Sequence, residues 1–165
     1  MKKFIVSMLL LLPLTMVAQE LKIATVDQNE IFSLMPEVTK MNSELEALQN
    51  EYQELFKSLQ DEYNNKAAEL TAKGDSLSEN IRILRINDLT ELESRMENIY
   101  PVATEAIDNL RQKHLGPIQD KVMKAIESVG EENGYSMIIN PQVLLYKGNA
   151  IIDATEKVKA KMGLK

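Results

Sequence analysis

Seven apolar side chains set the fold this chain can adopt. Val38, Met41, Leu45, Leu48, Tyr52, Leu55 and Leu59 follow one another at intervals of 3, 4, 3, 4, 3 and 4 residues. That is a heptad seam, the pattern of a long helix that lays one stripe against partner helices rather than into a globular core. Beyond Leu59 the step lengthens to fours through Tyr63 and Ala67 before Leu70, a stutter that locally relaxes a supercoil. A second seam runs through Leu89, Leu92, Met96, Ile99, Ala103, Ala106 and Leu110, again alternating 3 and 4. Two stretches of about 37 residues, 37–73 and 79–115, would each reach roughly 55 Å. Their similar length predicts an antiparallel helical hairpin turning at Lys73-Gly74-Asp75-Ser76, where Gly can end one helix and Asp75, Ser76 or Ser78 can cap the next. A turn nearer Arg85 would serve as well. Pro101 should kink the second helix. Gly116-Pro117 predicts a sharper break, with a third amphipathic segment through Ile118, Val122, Ile126 and Val129 that stops at Asn133-Gly134. Gly130 and Gly134 have the spacing of a helix-packing pair, but Gly134 reads better as a helix stop.

Strand chemistry flanks the helices. Leu21 to Asp27 alternates apolar and polar residues and is β-branched, followed by a short helical turn through Glu30-Ile31-Phe32 that ends near Pro36. Tyr135 to Ile139 and Val143 to Tyr146 flank Asn140-Pro141-Gln142 and predict a C-terminal hairpin. Asp153, with Glu156 three residues on, predicts the start of a last helix ending at Gly163. The expected fold is therefore α+β and mostly helical: a β body from 19–36 and 117–165, with an arm over 37–116. A body this small is marginal alone, and oligomerisation is a common remedy.

Residues 1–18 read as a secretory signal peptide. Lys2 and Lys3 precede an apolar run from Phe4 to Leu14, and Ala18 supplies the small residue at the cut. The run falls short of the roughly 20 residues a membrane helix needs. The expectation is an exported, soluble protein.

Composition narrows the chemistry. The 165 residues include no Cys, no Trp and one His, so thiol chemistry is excluded and most triads and transition-metal sites are removed. No phosphate-cradling glycine motif is present. Twenty-five acidic residues face 19 basic ones, a net charge of −6, and loss of Lys2 and Lys3 makes the chain more acidic still. That balance argues against nucleic acid and against anionic membrane surfaces. Glu44, Glu46, Glu51 and Glu54 read as a solvated helix face rather than a cation cage, because no loop gathers them. His114, near the end of the second long helix, reads as solvated or beside the helix dipole. No cofactor, metal or catalytic group is expected.

Phe56, Ile83, Ile86 and Tyr100 are apolar residues that fall outside the seams. They either widen the helical contact, pack on a neighbouring subunit, or offer an adaptable apolar surface to a client chain.

Three short signatures resemble the OmpH/Skp family of periplasmic chaperones. They are Lys22-Ile23-Ala24-Thr25-Val26-Asp27 leading to Ile31-Phe32, Glu132-Asn133-Gly134-Tyr135 followed by Met137-Ile138-Ile139-Asn140, and Ile152-Asp153-Ala154-Thr155-Glu156-Lys157-Val158. Gly116-Pro117-Ile118 is similar to the family as well. The resemblance implies a homotrimer whose strands join in a central body, with Ile23, Val26, Ile138, Ile139 and Leu144 in the oligomerising core. It implies arms that surround unfolded outer-membrane β-barrel proteins in the periplasm and prevent their aggregation without ATP. The chain departs from the best-known member in being acidic, so lipid binding through a cationic arm is not carried over. The competing expectation is a structural coiled-coil envelope protein with one folded partner.

Overall fold

The computed structural model describes residues 21–73 and 76–165. The leader and its cleavage after Ala18 lie outside the described residues, as do Gly74 and Asp75 of the expected turn.

Strand β1 (Ile23–Thr25) leads into α1 (Gln28–Leu34), and a second helix, α2, spans Pro36–Lys73. Asp27 caps α1: its Oδ1 accepts from the backbone N–H groups of Asn29 at 3.0 Å and Glu30 at 3.2 Å. That satisfies donors a helix start otherwise leaves open. Pro36 then opens α2, where its missing N–H costs nothing. The first seam is thus one uninterrupted helix. Ser78 is the N-cap of the next helix in extended conformation but makes no side-chain bond to it.

That helix, α3, runs from Glu79 to Asn133 through both Pro101 and Pro117. The expected break at Gly116-Pro117 is absent. A proline removes one backbone donor, but Ile118, Val122, Ala125, Ile126 and Val129 are all buried immediately after it. Burying a side chain of that size is worth about 1.5–3 kcal/mol, and several in succession outweigh one lost bond. The helix does stop where Gly134 directs it: Gly134 has φ 63°, and the Tyr135 N–H reaches back to the Gly130 carbonyl at 2.9 Å.

The C-terminal hairpin is also absent. β2 (Met137–Ile139) pairs with β1, in parallel, Ile23 opposite Met137 and Thr25 opposite Ile139. Val143 to Tyr146 forms no strand. Asn140 instead caps a 3-10 turn over Pro141–Val143, accepting from Gln142 N–H at 3.0 Å, which carries the chain off the sheet edge. The third strand is β3 (Ile152–Asp153), also parallel to β1, so the sheet order is β2-β1-β3 with the N-terminal strand in the middle.

The last helix, α4 (Thr155–Met162), has Ala154 as its N-cap, one residue later than the cap expected at Asp153. Asp153 belongs to β3, and its Oδ1 accepts from the Thr155 backbone N–H at 3.0 Å and the Thr155 hydroxyl at 2.7 Å. Gly163, at φ 72°, ends α4 as the sequence predicts. Glu156 pairs with Lys159 within the helix, and Lys159 also holds Glu30 of α1. These two carboxylates push the Lys159 ammonium up from its ordinary pKa, Glu156 more than Glu30.

One apolar core joins these pieces. Ala24 and Val26 of the central strand region, Ile31 and Met35 at α1, Met41 of α2, the 118–129 stretch of α3, and Ala154 and Val158 of the α4 region form a single buried cluster. Gly130 lies close to it: a Cβ there would come into van der Waals contact with Ile138 Cδ1 of β2 at 3.4 Å. Of the residues assigned to the body, Val26 is buried, and Ile23, Ile138, Ile139 and Leu144 are half-buried.

Candidate functional site: the α2–α3 surface

Three polar contacts cross between α2 and α3, and rising positions on one helix meet falling positions on the other. Nearest the core, Glu37 pairs with Lys121. Next, His114 Nε2 lies 2.7 Å from Glu44 Oε2. Farthest out, the Tyr63 hydroxyl donates to Glu93 Oε1 at 2.8 Å. His114 is therefore a cross-helix partner with a side chain 20% exposed, not a solvated residue. Position within its own helix does not reveal this role, because the partner sits 70 positions away.

Each contact shifts its carboxyl or phenol in the expected sense. The hydrogen bond from Lys121 holds Glu37 below the ordinary glutamate range, and the bond from His114 does the same for Glu44. The Glu93 carboxylate, through its hydrogen bond, pushes the Tyr63 phenol up. Among the described residues no three His, Asp or Glu side chains gather into a group that could hold a metal ion. No described helix is long and apolar enough to cross a membrane.

Between the His114–Glu44 and Tyr63–Glu93 contacts the seam fails to close. A cleft of about 530 Å³ opens there. Tyr52 and Phe56 of α2 and Met96, Ile99 and Tyr100 of α3 form its apolar wall, and Gln49, Gln53 and Thr104 supply its polar groups. The seam residues Tyr52, Met96, Ile99 and Ala103 are half-buried here, whereas Leu59 and Leu92, beside the Tyr63–Glu93 contact, are fully buried. The heptad pattern marks which side chains face the partner helix. It does not say whether they reach across, and Ala103 and Ala106 are too short to do so.

The structure brings Phe56 and Tyr100 to this one cleft, 41% and 79% exposed respectively. Ile83 and Ile86 are exposed too, but they lie at the start of α3 with Ile81 and Leu84, about 15 Å or more along the helix from Met96. They do not share the cleft. Met96, Ile99 and Ala103, assigned to the seam alone, line it, as does Ile107. Exposed apolar residues appear a second time on the body, at Met137, Val143, Leu145 and Tyr146.

A small parallel β body bearing a pair of long, mutually packed helices, with an uncharged cleft between them, defines the class of protein. Residues 22–162 match the family described as outer membrane protein (OmpH-like), and the chain belongs to that family. Comparison with curated proteins gives no match. At the level of the family, membership carries a periplasmic chaperone role toward outer-membrane proteins rather than an enzymatic one.

Proposed function

We propose that this chain is an ATP-independent periplasmic holdase that binds unfolded outer-membrane β-barrel proteins and keeps them from aggregating. In this reading the first 18 residues direct export and are removed, and three copies join through the body formed by 19–36 and 117–165. The segment 37–116 is an antiparallel helical-hairpin arm, and the three arms enclose the client. The observation that carries the reading is the pairing of Phe56 and Tyr100 on an apolar cleft within helices whose other positions are mostly charged or polar. Large adaptable apolar surfaces left open on a folded chain mark interaction sites. Three arms making weak contacts give avidity without any single contact trapping the client. The exposed Met137, Val143, Leu145 and Tyr146 supply the apolar surface a trimer interface would cover.

The test is dilution of an unfolded outer-membrane barrel protein out of urea, followed by light scattering with and without the mature chain. Suppression that saturates near one trimer per client, without nucleotide, is the expected result. Absence of suppression across several clients and salt concentrations would overturn the reading in favour of a structural coiled-coil envelope protein with a folded partner.

A further inference from the structure

The cleft between the helices has a chemistry more selective than an apolar surface alone. None of its lining residues is charged, in a chain where 27% of residues are. Its α2 side runs from Gln49 to Phe56, about 10 Å along the helix. Side chains on one face of an extended strand recur every ~6.7 Å, so two of them fit that length. The volume of about 530 Å³ is ample for two large apolar side chains. Met96, unbranched and polarisable, can adjust to either. Gln49, Gln53 and Thr104 bring amide and hydroxyl groups that can meet a peptide backbone.

A second recess of about 450 Å³ adjoins the first and shares Phe56 and Met96 with it. Its other walls are Gln60, Glu93 and Glu97. The uncharged cleft thus gives way at one end to two carboxylates. Charge selects the occupant: acidic segments are repelled there, and a basic side chain is favoured. A helix from a second copy fits less well, since most of the positions α2 and α3 present outside their seams are charged or polar.

We infer that this cleft is a subsite for an extended, uncharged stretch of client chain that inserts two apolar side chains at alternate positions. The recess with Glu93 and Glu97 takes a Lys or Arg adjoining that stretch. The inference rests on the client-binding reading above and names the client feature recognised.

Binding is read by fluorescence anisotropy on the full mature chain. The probe is a short labelled peptide of alternating Phe and Ser ending in Lys. One control carries the same composition with Phe at helical spacing, and another replaces the Lys with Glu. The alternating Lys peptide binds about fivefold or more tighter than either control. Ala103→Trp, which fills the cleft, weakens it about tenfold or more. Glu97→Gln reduces the preference for Lys over Glu, since Glu93 alone then remains in the recess. Circular dichroism and particle mass establish that each variant keeps its helices and assembly. In the unsubstituted chain with methyl-labelled methionine, the Met96 methyl resonance shifts when the peptide is added.

Equal affinity for all three peptides, unchanged affinity of Ala103→Trp, or a silent Met96 methyl would each overturn the subsite. A Met96 signal that moves with protein concentration before any peptide is added would overturn it in favour of a second copy. The barrel-protein dilution assay separates the two readings. Protection that persists alongside a silent Met96 removes the subsite and leaves the holdase standing. Absence of protection by the unsubstituted chain removes the client identity of the occupant, even where Met96 responds.

Discussion

Thr155 holds two parts of the body with one hydroxyl. Its Oγ1 accepts from the Asp27 backbone N–H at 3.0 Å and donates to Asp153 Oδ1 at 2.7 Å, and the residue is only 5% exposed. Thr155→Val keeps the shape and removes both bonds, leaving the part-buried Asp27 N–H without that partner. It should lower the unfolding free energy by about 1–3 kcal/mol in a urea titration. The Thr155 hydroxyl, followed by its backbone N–H, also holds the Asp153 carboxyl below the ordinary aspartate range. His114 acts similarly on Glu44 across the helices, its hydrogen bond outweighing the opposing effect of partial desolvation. Because the folded pKa of Glu44 is depressed, its contribution to stability is complete above the unfolded value of about 4.3 and is lost as pH falls through the folded one. His114→Ala should move the Glu44 titration up toward the ordinary value, read from the side-chain carboxyl carbon by NMR. An unmoved Glu44 would show that the hydrogen bond does not persist in solution.

At the scale of elements, α2 and α3 draw their tight packing from few points. Leu59 and Leu92 are buried next to the Tyr63–Glu93 contact and stand apart from the main core cluster. Leu59→Ala should cost about 2–4 kcal/mol. Amide exchange should speed up over the outer halves of both helices while the 118–129 stretch keeps its protection. Uniform loss of protection would instead mean that arm and body unfold as one unit. The same elements show what can be read without a structure. α2 was legible almost to the residue because a heptad repeat is local information, confirmed again every seven positions. Gly116-Pro117 was misread because local breaker chemistry competes with burial of Ile118 and Val122, and burial depends on partners far along the chain. Met137 to Ile139 was legible as a strand, but β-branched composition names no partner. Its true neighbour is β1, in parallel. For the cleft, the off-seam positions of Phe56 and Tyr100 were the signal. The contribution of Met96, Ile99 and Ala103 was hidden, since a seam residue that reaches its partner and one that falls short look alike in sequence.

Across the whole molecule, exposed apolar groups concentrate in two places with different demands. In the proposed function those on the helices stay open to clients, whereas Val143, Leu145 and Tyr146 on the body are under permanent cover. Leu145, fully exposed, tests the difference: Leu145→Asp should lower the mass measured by light scattering after size exclusion and leave helix content unchanged. An unchanged mass would place the assembly interface elsewhere. The order of the sheet, finally, sets a timetable. β1 lies at the centre with both partners supplied by the other end of the chain, and the Asp27–Thr155 bond that helps close the body spans 128 positions. Contacts so distant form slowly, while helices consecutive in sequence form from neighbours. As the chain emerges N-terminus first during synthesis, β1 has nothing to pair with until the last residues arrive. The long helices can thus exist before the body that anchors them, so the chain passes through a state in which its helices are formed and its sheet is not.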